Sequence, residues 1–367
     1  MATPRQYTVR FVVTAATVLL SFALIATAYT GAVDPRVFPP ACLLNMAFPV
    51  TALLSVVALI VLAIARNRLA WVMGAAILIS SPALLNFAPV NMTVSPETTR
   101  GKKSFTLMTF NALHWQDYGR DGIPDPNPSL SYVMAMKPDI LVVQESLVGL
   151  ASLRKSSFNP LDTIRKVYPF RCSDNSDPGL AVYSRFPVTR IEVPDSVCSP
   201  AERAVFRLSV EGHVLTIYNV HLQSFLLSGD DKALFSRVTK GDADRSAIRN
   251  MRNHIFTKIY RAAALRADQA EEVRRLLDSR RGAAIVCGDF NDTPDCFALR
   301  TILGSDMHDA FAEAAFGPMI TYHKNKFFFR IDHILYRGPL MAVDILRGKD
   351  VGSDHYPLTA RFIWTDD

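Results

Sequence analysis

The sequence has 367 residues, with 40 Lys or Arg against 34 Asp or Glu, and therefore a net charge of +6. This length allows an anchoring region and one domain that buries a large core. The charge is unevenly placed: residues 1–99 hold five Arg and two acidic residues, whereas residues 100–367 carry a net charge of only +3. Neither part is basic enough for charge alone to identify a nucleic-acid-binding protein.

The first part of the chain contains three uncharged apolar stretches. Each has about 22 to 25 residues, and a helix of roughly 20 apolar residues is enough to span a bilayer. We therefore predict a transmembrane region over residues 1–90, in which Pro49 and Pro82 are tolerated kinks. The three predicted spans are residues 11–33, 41–65 and 69–90.

A second interpretation makes residues 1–28 a secretory signal, because Arg5 and Arg10 precede the first apolar stretch and the sequence ATA at its end fits a cleavage site. Both interpretations give the same orientation. With three spans, the positive-inside rule keeps Arg5 and Arg10 in the cytoplasm and leaves residue 91 onward outside. With a cleaved signal, the mature chain starts outside, crosses twice and ends outside. The sequence thus predicts an integral protein of the cytoplasmic (inner) membrane with its C-terminal domain on the extracytoplasmic side.

The five cysteines indicate no zinc site, since they show no Cys-x-x-Cys or Cys/His spacing. Cys42, in a predicted span, and Cys287, in an apolar strand, are expected to be packing residues. Cys172 and Cys198 flank one strand pattern and are candidates for a disulfide in an oxidising compartment. Sequence alone does not supply the geometry that such a bond requires.

After a polar linker at residues 91–104, short apolar runs end abruptly in polar residues. Several runs are apolar on both faces of the pleat, which is typical of strands covered on both sides. Helical patterns lie between some of them, notably at residues 262–279, so the fold class is α/β. This domain occupies residues 105–367, and its apolar runs are FTLMTF, DILVVQ, GLAVYS, VLTIYNV, AAIVCG, FRIDHILY and SDHYPLTARF.

A basic helical insertion interrupts the domain at about residues 225–265, where eight Lys or Arg stand against four Asp. Ile248, Met251, Ile255 and Ile259 recur at helical spacing. One interpretation is an amphipathic surface helix with a solvated basic face. The other is an arm that holds a phosphate-bearing or membrane-surface substrate.

The segment DFNDTPD, directly after the run AAIVCG, places three carboxylates and one carboxamide within seven residues. Asp289 and Asn291 are two residues apart, and alternating side chains of a strand would direct them to the same side. Like charges are tolerated where a hard cation sits among oxygen ligands, and Mg²⁺ usually takes one or two carboxylates. A strand followed by a simple Asx turn is the alternative interpretation.

Polar residues at other strand ends favour the metal interpretation. Acidic, amide and imidazole groups close or open several of the predicted strands, as a metal-assisted phosphoryl-transfer site would require. These residues are Asn111, Glu145, His221, Asp332, Asp354 and His355.

With these motifs the chain resembles the endonuclease/exonuclease/phosphatase superfamily, which has the DNase I-like fold. The resemblance rests on TFNALHW, VVQES, GLAVYSRFP, YNVHLQS, CGDFNDTP, RIDHILY and GSDHYP, in the family's order from about Phe105 to Ile363. It implies an α+β fold, a four-layer αββα sandwich of two packed β-sheets with helices outside. It also implies a metal-dependent hydrolase of phosphoester bonds.

The resemblance assigns roles to individual residues. Glu145 matches the principal Mg²⁺ ligand, with Asp354 in a metal-binding or supporting role. Asn111 matches the residue that helps to fix metal and phosphate, although an Asn in a turn is the plainer interpretation. Asp289 matches the residue that positions or deprotonates the attacking water, and Asn291 the residue that hydrogen-bonds the phosphate.

Further roles concern the imidazoles. His355 matches the catalytic imidazole and Asp332 its carboxylate partner, which fixes the tautomer and favours the imidazolium. His221 matches a histidine that stabilises the transition state or the leaving oxygen, but the motif GLAVYSRF lacks the acid that pairs with it in nucleases. Arg203 lies where some relatives hold a phosphate-contacting Arg. His333 is interpreted as a packed strand residue beside the site.

Asp292 and Asp295 match no catalytic position of the family and are interpreted as turn and cap residues. Together these features predict a membrane-anchored phosphodiesterase that uses Mg²⁺, with Mn²⁺ as the alternative, to activate water. The expected substrate is nucleic acid or a lipid headgroup, and the bilayer is the only other partner inferred, with no obligate protein partner. The rival hypotheses are a phosphomonoesterase acting on a phospholipid or inositol phosphate and a non-catalytic membrane-bound binding protein.

Overall fold

The computed structural model describes residues 4–92, 94–118, 122–146, 159–173, 179–193, 202–225, 245–324 and 328–366. Its helices are α1 (Pro4–Tyr29), α2 (Ala41–Met46), α3 (Phe48–Ile64), α4 (Leu69–Ile79), α5 (Ser81–Phe87), α6 (Pro96–Thr99), α7 (Pro128–Met136), α8 (Pro160–Val167), α9 (Arg245–Asp278), α10 (Phe297–Leu303) and α11 (Ala310–Ala314). Its strands are β1 (Ser104–Asn111), β2 (Ile140–Gln144), β3 (Phe170–Ser173), β4 (Ala181–Ser184), β5 (Val188–Ile191), β6 (Glu202–Val210), β7 (His213–His221), β8 (Ala283–Asp289), β9 (His308–Asp309), β10 (Asp332–Arg337), β11 (Leu340–Arg347) and β12 (Leu358–Trp364).

The strands form two six-stranded sheets. Sheet A has the order β11-β12-β1-β2-β4-β3, and sheet B has the order β5-β6-β7-β8-β10-β9. The pairs β1–β2 and β7–β8 are parallel and the other pairs are antiparallel, so both sheets are mixed. Each parallel pair brings two chain ends to the same edge, which is where the polar strand ends of the sequence lie.

The period-two alternation of the strands decides which residues form each layer. Leu107 on β1 and Ile285 on β8 belong to the core between the sheets, whereas Met108 and Val286 face outward. The outer face of sheet A packs against α7 and α8, and that of sheet B against α9 and α10. The predicted four-layer αββα sandwich is therefore confirmed, and full burial of each large apolar side chain in it contributes about 1.5–3 kcal/mol.

Local sequence signals fix the ends of the covering helices. The Asn127 side chain accepts a hydrogen bond of 2.8 Å from the Leu130 amide, and Pro128 follows it in the first turn of α7. Asn159 and Pro160 repeat this arrangement at the start of α8, where the Asn159 side chain accepts from Leu161. An N-cap acceptor before a proline satisfies an otherwise unpaired amide and presets the helical φ angle.

The prediction of three transmembrane spans is wrong. Among the described residues, one helix is long and apolar enough to cross a membrane, formed by α1 and the 3₁₀ turn that follows it to Ala32. The second predicted span is divided into α2 and α3, and α3 has 17 residues. The third is divided into α4 and α5, which are bent by 63° and would count as a second span only if the bent pair crossed as one.

Proline explains this difference. Pro49 and Pro82 each lie in the first turn of a new helix, α3 and α5, rather than inside a continuous one. A proline has no amide hydrogen and its ring displaces the preceding turn, so it starts a helix more readily than it continues one. The apolar composition predicted helices correctly, but it did not predict where they are interrupted.

Two other expectations fall partly outside the described residues. Within the basic insertion, residues 226–244 lie outside them, and residues 245–265 form the first part of the single helix α9, which also contains the helix predicted at 262–279. Cys198 lies outside them too, so the Cys172–Cys198 disulfide stays a prediction. The expected linker contains the short helix α6, which is capped by Ser95.

His333 is packed on the outer face of sheet B. Its Nε2 lies 3.1 Å from the Asp292 carbonyl oxygen and its Nδ1 lies 3.2 Å from an Arg330 guanidinium nitrogen, while its ring meets the Phe290 ring edge-on. Burial, with the nearby Arg330 charge, lowers its pKa from 6.5 to about 4. The folded protein therefore holds this ring neutral at pH values where the unfolded chain would protonate it.

Stability should consequently fall as the pH drops from about 6.5 towards 4, because only the unfolded chain gains this proton. At pH 5 the loss from His333 alone should be about 2 kcal/mol. We expect the melting temperature of the full-length protein in detergent to fall more between pH 7.5 and pH 5 than that of the His333→Gln variant, which keeps a donor and an acceptor. Equal falls in both proteins would contradict this prediction.

Candidate active site

Three polar side chains from sheet B form one row at its polar edge. In the strand register, His221 at the end of β7 pairs with Asp289 at the end of β8, and Asp289 pairs with Asp332 at the start of β10. Each lies at the same parity as the inner-face residues of its strand, such as Ile217, Ile285 and Ile334. All three side chains therefore lie at the rim of the seam between the sheets.

Sheet A supplies Asn111, Glu145 and His355 on the opposite side of the seam. Asn111 ends β1, Glu145 directly follows β2, and His355 precedes β12. The Asn111 Nδ2 donates to Glu145 Oε1 at 3.0 Å and to Asp289 Oδ2 at 3.1 Å. One amide thus joins a carboxylate of each sheet.

The His355 imidazole also bridges the sheets. Its Nδ1 lies 2.8 Å from Asp332 Oδ2 and its Nε2 lies 3.4 Å from Asp289 Oδ2. The ring of Tyr322 packs edge-on against it, at a centroid distance of 5.1 Å. Burial lowers the pKa of His355, but the carboxylates of Asp332 and Asp289 outweigh burial and raise it well above 6.5. The arrangement therefore favours an imidazolium.

Asp289 is buried at the centre of the group. Burial raises its pKa to about 6, against the opposing effect of His355 and with a further increase from Asp332. Its Oδ1 accepts a 2.8 Å hydrogen bond from the backbone amide of Asn291, which fixes the carboxylate plane. A carboxylate with such a pKa is able to exchange a proton near neutral pH.

His221 and His114 lie close to the same carboxylates. The His221 Nε2 is 3.6 Å from Asp289 Oδ2 and 3.9 Å from Glu145 Oε1, and the His114 Nε2 is 3.6 Å from Glu145 Oε2. The acid expected near His221 is absent from the β4 motif, but the backbone register places Glu202, the first residue of β6, opposite His221.

A buried polar network lies directly beneath the site. Gln144, the last residue of β2, donates from Nε2 to Asn219 Oδ1 at 2.6 Å, and Asn219 of β7 donates in turn to the Val143 carbonyl at 2.9 Å. Thr109 contacts Gln144 from β1. Sequence reasoning missed this network, as it missed His114, since long-range partners leave no local signal. The polar residues at inner-face positions of otherwise apolar strands were the one available sign.

The structure places the other predicted site residues differently. The Asn291 Nδ2 donates to the Leu222 carbonyl oxygen at 2.9 Å, so this amide holds its own loop. Asp354 is half-buried beside His355 and contributes to raising its pKa. The Arg203 guanidinium forms an ion pair with Glu272 on α9, because odd-numbered residues of β6 face the helices.

The cluster fits a hard divalent cation. Within the part of the chain that the structure describes, the cationic groups within 4.0 Å of the Glu145 and Asp289 carboxylates are histidine rings. Asp332 Oδ1 is buried and has no hydrogen-bond donor among the described residues. Ligand atoms of Asp289, Asp332 and His355 all lie within 4.8 Å of one another. Oxygen-rich, negatively charged sites of this kind suit Mg²⁺ or Mn²⁺.

Three solved structures that align with this chain illustrate the comparison. Truncated TDP2 of Caenorhabditis elegans aligns at 17% identity over 71% of this chain and 98% of its own, with a TM-score of 0.47. An endonuclease/exonuclease/phosphatase of Beutenbergia cavernae aligns at 14% identity over 72% of each chain, with a TM-score of 0.47. The human Nocturnin catalytic domain with bound sulfate aligns at 17% identity over 72% of this chain and 94% of its own, with a TM-score of 0.45.

No curated protein sequence matches the chain. A family model described as a domain of unknown function matches residues 10–87, and the model of the Endonuclease/Exonuclease/phosphatase family matches residues 108–355. The second match covers more than half of the sequence and contains every residue of the row and its partners. The chain therefore belongs to the Endonuclease/Exonuclease/phosphatase family and is a metal-dependent hydrolase of phosphoester bonds.

Proposed function

We propose that the protein is a membrane-anchored, Mg²⁺-dependent phosphodiesterase that cleaves its substrate by attack of an activated water. The observation that carries this proposal is the meeting of Glu145, Asp289 and His355 at the rim of the seam between the sheets, called the cleft below, through Asn111 and Asp332. Hydrolysis of a phosphodiester requires a base for water, a donor for the phosphoryl oxygens and a cation that balances the charge.

Glu145, Asp354 and the Asn111 side chain are the proposed ligands of the cation. Asp289, Asp332 and His355, whose ligand atoms lie within 4.8 Å of one another, are kept for the proton chemistry described below. When bound, Mg²⁺ would supply positive charge to the phosphoryl oxygens and lower the barrier to attack on phosphorus. The Asn111 amide already donates to both Glu145 and Asp289. It therefore keeps the carboxylate that would hold the metal and the carboxylate that would act on water in a fixed relation.

The protein's own groups divide the proton chemistry between them. Asp289 is the base that orients or deprotonates water, since burial raises its pKa to about 6. His355, held by Asp332 through Nδ1, directs Nε2 towards the centre of the cleft as a donor to a phosphoryl oxygen. His221 is placed to stabilise the leaving oxygen from the opposite edge of the row. Asn291 supports the base through the 2.8 Å hydrogen bond from its backbone amide to Asp289 Oδ1. Its side chain is a candidate donor to the phosphate.

The apolar N-terminal region supports a substrate at the membrane surface. Only 28% of the apolar window in the helix that includes α1 is buried, whereas the core helix of a soluble protein would be mostly covered. Most large exposed apolar side chains of the described residues lie before residue 93. A phospholipid headgroup, which lies at the membrane surface, is therefore the first candidate substrate. Nucleic acid arriving from outside is the second.

Turnover by the full-length protein in detergent tests this proposal. With bis(p-nitrophenyl) phosphate as substrate, we expect hydrolysis in MgCl₂ and its loss in excess EDTA, with recovery when Mg²⁺ is restored. Glu145→Gln should raise the Mg²⁺ concentration needed for half-maximal rate by at least ~10-fold, because it replaces a charged ligand with a neutral one of the same shape. A diesterase rate that is indifferent to EDTA would exclude the metal-dependent mechanism. A panel of phospholipid and oligonucleotide diesters would then distinguish the substrates.

Two further substitutions test the assigned roles. Asp289→Asn and His355→Ala should each lower kcat by at least ~100-fold, the scale on which positioned bases and charge-stabilising groups act. Asp344→Asn on β11 and His308→Ala on β9 are the matched controls, since both lie outside the cleft. Near-wild-type kcat in the first pair, or an equal loss in the controls, would place the chemistry elsewhere.

The orientation of the protein follows from the placement of its basic residues. Arg5 and Arg10 lie at the start of α1, the one unbroken helix among the described residues that is long and apolar enough to cross a membrane, and the catalytic domain follows this helix in the chain. The positive-inside rule then places the catalytic domain on the extracytoplasmic side. Alkaline phosphatase fused after residue 100 should be active in cells, and cytoplasmic fluorescence of a matching fluorescent-protein fusion would reverse this assignment.

A further inference from the structure

We propose that the N-terminal helical region is a positioning part of the active site. Two of its turns hold the loop of residues 289–297, the catalytic loop, which carries Asp289 and Asn291. The activity readout of this inference rests on the proposed phosphodiesterase function, whereas its structural readout does not. The inference makes the region more than an anchor.

The first of these two turns is the connection between α1 and α3, residues 30–47, and it contacts the catalytic loop through a buried polar pair. The Thr293 hydroxyl donates to Asn45 Oδ1 at 2.8 Å, and both side chains are buried. Gly31 lies directly on the Asp295 carbonyl oxygen, since a Cβ atom at this position would be 1.6 Å from it. The backbone of the turn therefore sits against the loop with no room for any other residue.

The second turn, at the end of α5, reaches two elements of the site. The Asn86 Nδ2 donates to Asp295 Oδ1 at 2.9 Å, and the Asn86 carbonyl oxygen accepts a 3.0 Å hydrogen bond from Arg330. Arg330 lies two residues before Asp332 and also contacts Asp309 at 3.2 Å. The side chain and the backbone carbonyl of Asn86 thus connect the catalytic loop with the segment that leads into β10.

Helix α9 is held against the same region. Arg36 forms ion pairs with Asp268, at 2.7 Å, and with Glu271 on this helix. Two residues before Asp268 in α9, the buried Arg266 donates to Asp292 Oδ2 at 3.0 Å. The catalytic loop is consequently enclosed between α9 on one side and the two N-terminal turns on the other.

The catalytic loop needs such support because its backbone is strained. Asn291 and Asp295 have φ angles of 51° and 60°, in the left-handed region that residues with a Cβ atom seldom adopt. Residues held in this way cost of order 1–3 kcal/mol each and persist only where the surroundings fix them. A shift of about 1 Å in a catalytic group is enough to reduce turnover by as much as ~100-fold.

A flexible anchor would have no need of these contacts. A tether requires only a linker of sufficient length, whereas here a buried hydrogen bond, Thr293–Asn45, and the part-buried bonds of Asn86 join the region to the loop that holds the proposed base and to the segment that leads into β10. Breaking the Thr293–Asn45 bond would leave buried polar groups unsatisfied. The contacts are therefore expected to keep the loop in one conformation.

The test compares Thr293→Val, which removes the hydroxyl at constant shape, with Thr293→Ser, which keeps it, in the full-length protein in detergent. With bis(p-nitrophenyl) phosphate and Mg²⁺, Thr293→Val should lower kcat about 10-fold with KM within about twofold, because the base moves while the cleft remains. Thr293→Ser should retain most of the wild-type kcat. Asn86→Leu, on the N-terminal side of the contact, should behave like Thr293→Val.

Amide hydrogen exchange of peptides covering residues 289–297 gives the second readout, which needs no turnover. Exchange should be faster in Thr293→Val and Asn86→Leu than in wild type and Thr293→Ser. Unchanged exchange and kcat in both variants, or equal losses in the Ser and Val variants, would overturn the inference. If the wild-type protein shows no turnover, the proposed function fails, and hydrogen exchange alone then tests the positioning role of the N-terminal region. If Asn86→Leu does not fold, the Thr293 pair decides it.

Discussion

The amide of Asn111, placed between the carboxylates of Glu145 and Asp289, sets the constraint on which the site depends. Asn111 and Glu145 belong to sheet A and Asp289 to sheet B, so this one group fixes the distance between the sheets at their polar edge. Burying carboxylates is costly unless donors or cations satisfy them. The Gln144–Asn219 hydrogen bond repeats the connection one layer deeper. Gly288 leaves space for it, since a Cβ there would lie 1.9 Å from the Val220 carbonyl oxygen and 3.1 Å from Gln144.

Period-two alternation made much of this arrangement predictable. Apolar strands with polar ends predicted the sheets, and spacing predicted that Asp289 and Asn291 would project to the same side of one strand. Strand β8 ends at Asp289 and Asn291 has a φ of 51°, so the alternation does not extend to Asn291. The order of seven motifs predicted the layers and the pairing of His355 with Asp332. The same alternation shows why Arg203 lies apart, because it has the parity of Val205, which faces α9, and not that of Ala204, which faces the core. Resemblance supplied a position for Arg203, but the parity of its strand determines the side to which it points.

Interactions between distant parts of the chain could not be predicted. Composition indicated three apolar helices of spanning length, but the prolines in the first turns of α3 and α5 divide the second and the third. A hydropathy pattern does not measure the bend of 63° between α4 and α5. Likewise, nothing local connects Asn86 with Asp295 or Asn45 with Thr293, more than 200 residues apart. The sequence shows the polar residues within the apolar region, and it shows the catalytic residues of the loop. It does not show which of them contact each other.

The crowding of like charges in DFNDTPD is resolved by directing the three carboxylates to three different sets of partners. Asp289 faces the seam and meets His355 and Asn111, Asp292 faces α9 and meets Arg266, and Asp295 meets Asn86 and, at 3.6 Å, Arg300. Because each carboxylate has its own partner in a different direction, the three do not share one cation. The positive φ angles of Asn291 and Asp295 are what turn the backbone between these directions. The strained geometry of this loop thus both separates its charges and connects the apolar region with the catalytic cleft.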